Sequence, residues 1–140
     1  MKGICVHLKT AKFPVMDGER DEMINEGMYG KAISLHLQRT LAQRGYDMPD
    51  VVAEDWGWWV TVGGAPFGLG LCVYCWDDTS DVPVEYAIMS SVTKDRIWSW
   101  RKFRMIDAVP VVTKLMDDVE DIMNTDPEVE VIGRTDEFPM

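Results

Sequence analysis

The stretch Val52-Ala53-Glu54-Asp55-Trp56-Gly57-Trp58-Trp59-Val60-Thr61-Val62 decides how the chain is read. Its even positions, Val52, Glu54, Trp56, Trp58, Val60 and Val62, fall on one side at a period of two, the signature of a half-buried strand. Gly63-Gly64 follows as a turn signal. Phe67, Leu69, Leu71, Val73 and Cys75 then alternate in the same way, and so do Val82, Val84, Tyr86 and Ile88 beyond an acidic turn at Asp77–Asp81. Three strands, each with one apolar face, predict an antiparallel sheet that is covered by helices on one side.

Working outward, Ile4, Val6 and Leu8 alternate with Cys5, His7 and Lys9, which predicts a first strand over residues 3–9. A polar loop runs from Lys12 to Asn25. Tyr29, Ile33, Leu37 and Leu41 recur at i+4 and predict a helix over 26–44, with Gly45 placed to end it. Val112, Leu115, Met116, Val119, Ile122 and Met123 form a stripe of period 3.6, which predicts a second helix over 107–124. Asp107 is placed to cap that helix, and Pro110 suits its first turn. Residues 128–132 predict a final edge strand, and residues from about 134 to 140 a loose tail. Ile97 to Arg104 is consistent with a strand or a loop. The order is β-α-β-β-β-(β or loop)-α-β, a single α+β domain over 1–140 with two helices on one face of a mainly antiparallel sheet.

The chain has 140 residues, 24 acids, 14 bases and a net charge of −10. Its length suits one domain that buries a core without metal or disulfide. Phosphate recognition needs a basic face, so the charge argues against nucleic acid as partner. Cys5, Cys72 and Cys75 are too few for a disulfide framework. The apolar run at the N-terminus is too short for a secretion signal, and no stretch approaches the roughly 20 residues of a membrane span. These features predict a cytoplasmic protein without membrane contact.

No nucleotide loop, P-loop, metalloprotease helix or nucleophile elbow occurs in the sequence, and no cofactor or metal is expected. Cys72-Val73-Tyr74-Cys75 has C-x-x-C spacing, but on a strand residues three apart face opposite sides, so structural cysteines are expected. Glu54 and Asp55 amid Trp56, Trp58 and Trp59 are the first site candidates. A carboxylate on the core face has to pair, titrate upward or stand at a pocket mouth, and beside tryptophan it can serve as a general acid. His7 and His36 are candidate bases. The segment from Lys94 to Arg104 carries five bases interleaved with Trp98, Trp100 and Phe103, whereas residues 45–93 hold eight acids and no Lys or Arg. It reads either as an anion or single-strand nucleic-acid platform, through Trp98, Trp100, Arg101, Lys102 and Arg104, or as cations folded back onto Glu54, Asp55 and Glu85. Trp59, Cys72, Tyr74, Trp76, Ala87 and Met89 form the outward face of the sheet, too apolar to stand bare; either Trp98–Phe103 or a second copy in a homodimer is expected to cover it.

The expectation that follows is a small acidic binding protein, not an enzyme, acting through a protein partner as an inhibitor, immunity protein or adaptor does. The alternative is a small-ligand or hydrolytic site built on Glu54, Asp55 and the neighbouring tryptophans.

Overall fold

The computed structural model describes residues 1–13, 18–19, 30–76 and 83–137. Among them the chain forms β1 (Cys5–Thr10), α1 (Lys31–Gln43), β2 (Val51–Glu54), β3 (Gly57–Thr61), β4 (Gly70–Trp76), β5 (Val84–Ser90), β6 (Arg96–Ser99), β7 (Arg104–Asp107), α2 (Val109–Asn124) and β8 (Val129–Thr135). Six strands make one sheet in the order β2-β3-β4-β5-β1-β8, antiparallel throughout. β6 and β7 pair separately as a two-stranded ribbon. This is the α+β domain that the periodicities predict.

Strand register shows which side is the core. Trp58 lies opposite Val73, Val73 opposite Ile88 and Ile88 opposite Val6, so these four share a face. All four are buried, together with Leu8, Val60, Leu71 and Tyr86. Ile33, Leu37 and Leu41 of α1 and Val112, Leu115, Met116, Val119 and Met123 of α2 close over that same face. Burial of the full side chains contributes about 1.5–3 kcal/mol each, so this one layer dominates stability.

The start of α1 is held by a distant group and that of α2 by a local one. Gly30 precedes α1 and has no side chain to cap it. The buried carboxylate of Glu19 does so instead, accepting the Gly30 and Lys31 N–H groups at 2.9 and 3.1 Å. At α2 the Asp107 carboxylate accepts the Val109 N–H at 3.0 Å. The predicted start of the first helix at residues 26–29, the loop as far as Asn25 except at Lys12, Phe13, Gly18 and Glu19, and the acidic turn Asp77–Asp81 lie outside the described residues. β8 runs on to Thr135, past the point where a loose tail was expected. Arg134 holds it there, donating to the Gly3 carbonyl at 2.8 Å and pairing with Asp117 at 2.5 Å.

The segment 52–62 departs from its predicted form. It is not one strand but a hairpin, with Asp55-Trp56 as the turn between β2 and β3. Reversal through two residues places Val52 opposite Trp59 and Ala53 opposite Trp58. Val51 and Ala53 therefore join the core face, and Glu54 faces the other way, alongside Val52 and Trp59. The expected buried carboxylate does not exist, because the turn exchanges odd and even positions.

Gly57 makes this turn possible. Its φ of +155° lies in a region that L side chains rarely adopt, and a Cβ there would overlap the carbonyl oxygen of Val73. Gly57→Ala is therefore expected to lower unfolding free energy by about 2–3 kcal/mol, combining backbone strain with displacement of a strand. Urea denaturation measures this; a loss of less than about 0.5 kcal/mol would show that the turn is built differently.

Candidate functional site

The catalytic candidates are not brought together. His7 lies on the face of the sheet away from the helices, with Nε2 3.4 Å from Glu85 Oε2. His36 lies on α1, on the other side of the sheet. Its ring packs against Phe13 with centroids 5.2 Å apart, and Nδ1 is 3.1 Å from the Arg39 guanidinium. Burial, with Lys12 and Arg39 nearby, holds its pKa below the ordinary histidine value. Glu54 shares a face with His7 but stands four strands away, roughly 19 Å at normal strand spacing. Among the described residues Glu54, Asp55, His7 and His36 form no acid–base pair with one another.

The tryptophans near Glu54 are likewise separated. Trp58 is only 2% exposed and belongs to the core, so it cannot line a binding surface as the sequence suggested. Trp56 sits on the turn with its ring 5.3 Å from that of Tyr74. Trp59 lies across the backbone of Gly70, where a Cβ would overlap its ring. Its Nε1–H donates to the Thr61 hydroxyl at 2.8 Å, which donates to Asp50 at 2.6 Å. These contacts are structural.

The cysteines are placed as their spacing implies. Cys72 lies opposite Met89 on the outward face, and Cys75 opposite Tyr86 on the core face. Two thiols on opposite faces of one strand cannot ligate the same ion. Burial pushes Cys72 and Cys5 up to about 11, which makes both poor nucleophiles at neutral pH.

Trp59, Cys72, Tyr74, Ala87 and Met89 do share the outward face; the side chain of Trp76 lies outside the described residues. The segment Trp98–Phe103 does not cover that face. The chain leaves β5 at Ser90, where Ser91 N–H meets the Gly70 carbonyl, and builds the ribbon beyond that end of the sheet. The Asp55-Trp56 turn is at the opposite end, beyond Val73 and Tyr74. The basic stretch therefore cannot fold back onto Glu54 or Asp55.

The ribbon has an anchored base and an open tip. Ile97 and Ile106 pair with each other and pack against the core. Ser99 is fully buried; its hydroxyl donates to the Pro66 carbonyl and accepts the Lys102 N–H at 3.1 Å. The Asp95 carbonyl accepts the Ala108 N–H at 2.7 Å, closing the base. Residues 100–103 then form the connecting loop. Trp98 is 37% exposed, Trp100 79% and Phe103 72%. Their rings pack on one another, Trp98 edge-on to both Phe103 and Trp100 with centroids 5.2 and 5.6 Å apart. Phe103 holds φ at +52°, unlike every other described residue that is not glycine.

Charge follows the same division. Lys12 pairs with Asp126, Arg44 with Asp118 and Asp121, Lys114 with Asp118, and Arg134 with Asp117 and Glu120. In contrast, Lys94, Arg96, Arg101, Lys102 and Arg104 are all exposed, and among the described residues none has a carboxylate at ion-pair distance. In a chain with 24 acids and 14 bases, these five are a run of cations outside any ion pair; Lys2, Lys9 and Arg39, the other described bases without one, lie apart from it in the sequence. Three of the cations, Arg96, Lys102 and Arg104, line a groove of about 390 Å³ with Pro66, Asp107 and Pro110.

The positive φ of Phe103 yields a test. An L residue in the left-handed region costs roughly 1–2 kcal/mol, which glycine does not incur. Phe103→Gly is therefore expected to be more stable than Phe103→Ala by about 1 kcal/mol, the reverse of the usual order at a site with negative φ. Thermal or urea unfolding of the two variants decides it; Phe103→Ala as the more stable of the pair would contradict the loop geometry. The chain matches no protein-family model, no curated protein and no solved structure, so its functional reading rests on this ribbon.

Proposed function

We propose that this is a binding protein that docks onto a protein partner through the tip of the β6–β7 ribbon, in the manner of an inhibitor, immunity protein or adaptor. The observation that supports this is the cluster of Trp98, Trp100 and Phe103, held in solvent on a fixed base among cations that have no carboxylate at ion-pair distance within the described residues. Tryptophan and arginine dominate the energetic centres of protein interfaces. An aromatic that enters a partner's pocket gains about 2–3 kcal/mol from burial. Here the rings are already packed together and their hairpin is anchored, so little ordering cost remains on docking.

The strain at Phe103 points the same way. A phenylalanine kept in a left-handed conformation on the surface gives the fold nothing that glycine would not give more cheaply. An enzymatic reading has less support, because Glu54, Asp55, His7 and His36 stand apart and none lines the groove beside the ribbon.

Immobilised wild-type protein and the Trp100→Ala/Phe103→Ala variant, each exposed to extract of the native host, test the proposal. Both side chains are mostly exposed, so the variant is expected to fold. The expected result is at least one protein retained by wild type and lost from the variant. Identical sets of retained proteins on the two would sink the proposal.

A further inference from the structure

We infer that the groove along β7 receives the carboxylates of an acidic segment of the partner while the aromatic tip takes an apolar side chain beside it. This rests on the reading of the ribbon as a docking element and specifies what it recognises. Charge complementarity supports it. Arg96, Lys102 and Arg104 converge on one concave surface of about 390 Å³. The acid that shares this surface, Asp107, is engaged by the Val109 N–H at 3.0 Å. Among the described residues Arg96 reaches only the Met105 carbonyl, at 3.4 Å, so its guanidinium retains donors for a ligand. The groove is thus a net cationic hollow whose neutralising anions have to come from outside the chain.

Its setting favours a short peptide over other anions. Lys12, Arg44, Lys114 and Arg134 are neutralised within the protein; among the described residues Lys2, Lys9 and Arg39 also lack an ion pair, but they do not share the groove, so the cluster of cations belongs to the ribbon. Beyond it the chain as a whole is strongly acidic, at −10. A nucleic-acid strand carries charge along its whole length and would run from the ribbon onto repelling surface within a Debye length or two, about 8 Å each. An anionic bilayer would face the same repulsion over a wider area. Stacking of bases also needs open ring faces in series, whereas Trp98 meets Phe103 and Trp100 at interplanar angles of 72° and 80°. A segment with a few Glu or Asp residues beside a Leu or Phe fits both parts of the site without leaving it.

Fluorescence anisotropy with a labelled Glu-rich peptide carrying one Leu tests this directly, with its Gln counterpart, an oligo-dT strand and phosphatidylserine vesicles as comparison probes. The acidic peptide is expected to bind wild type and the Gln peptide to bind at least about tenfold more weakly. Affinity is expected to fall by about tenfold between low salt and about 0.3 M salt. Arg96→Glu/Arg104→Glu is expected to abolish binding, Arg96→Gln/Arg104→Gln to weaken it about tenfold, and Lys94→Glu, outside the groove, to change it less than about threefold. Circular dichroism confirms the fold of each variant, and the Gln pair serves if the Glu pair fails to fold. Absence of peptide binding overturns the inference, as does binding that the groove variants leave unchanged, or tighter binding of the oligonucleotide or vesicles. The proposed function fails separately: a peptide that does not bind, beside host proteins still lost from the Trp100→Ala/Phe103→Ala variant, removes the acidic segment and leaves the docking tip in place.

Discussion

Both helices close over the same side of the six-stranded sheet, and every other part of the structure is arranged around that one-sided burial. It requires alternate residues of each strand to enter one layer, and the parity has to survive each turn. The Asp55-Trp56 turn is where this is most exposed to error, since adding or removing one residue would send Trp58 outward and Trp59 into the core. Gly57 secures it by a backbone conformation and a close approach to Val73 that a side chain would forbid. The same layer anchors what does not belong to it: Ile97 and Ile106 pack against it and fix the base of the ribbon.

The ribbon shows how a small acidic domain keeps a cationic, aromatic surface free. Its strands leave the end of the sheet away from the Asp55-Trp56 turn, so distance keeps its cations from Glu54 and Asp55. Elsewhere acids and bases find one another across the fold. Arg44 meets Asp118 and Asp121, which joins the end of α1 to the exposed side of α2. Exposed pairs of this kind contribute little to stability, typically below about 1 kcal/mol, but they settle which charges remain available to a partner. Lys94 to Arg104 remain available as a cluster, on the same ribbon as three exposed rings.

The parts of this fold that could be read in advance are those where a local period carries the information. β1, β4, β5 and α2 have unbroken alternation or a 3.6-residue stripe, and the structure places them as read. The β2–β3 hairpin was not legible because Val52, Glu54, Trp56, Trp58 and Val60 keep one parity across the turn, and Asp55-Trp56 is not one of the Asn-Gly, Asp-Gly or Gly-Gly pairs that mark a two-residue turn. The ribbon was missed for a related reason. Trp100-Arg101-Lys102-Phe103 contains no Gly, Pro, Asn or Asp, and the left-handed position is taken by phenylalanine. The aromatic and basic character of the site was plain in the sequence. Its lack of internal partners was not, since that depends on where β6 and β7 leave the sheet and not on any local pattern.

The ribbon's Trp100 and Phe103 stand in solvent while Trp58 of the sheet does not. Fluorine NMR of protein labelled with 5-fluorotryptophan tests it without need of a partner. Single Trp→Phe variants assign the resonances of the six tryptophans. The account predicts a solvent isotope shift for Trp100 close to that of the free amino acid, a smaller one for Trp98 and none for Trp58. A Trp100 resonance as shielded from solvent as that of Trp58 would contradict it.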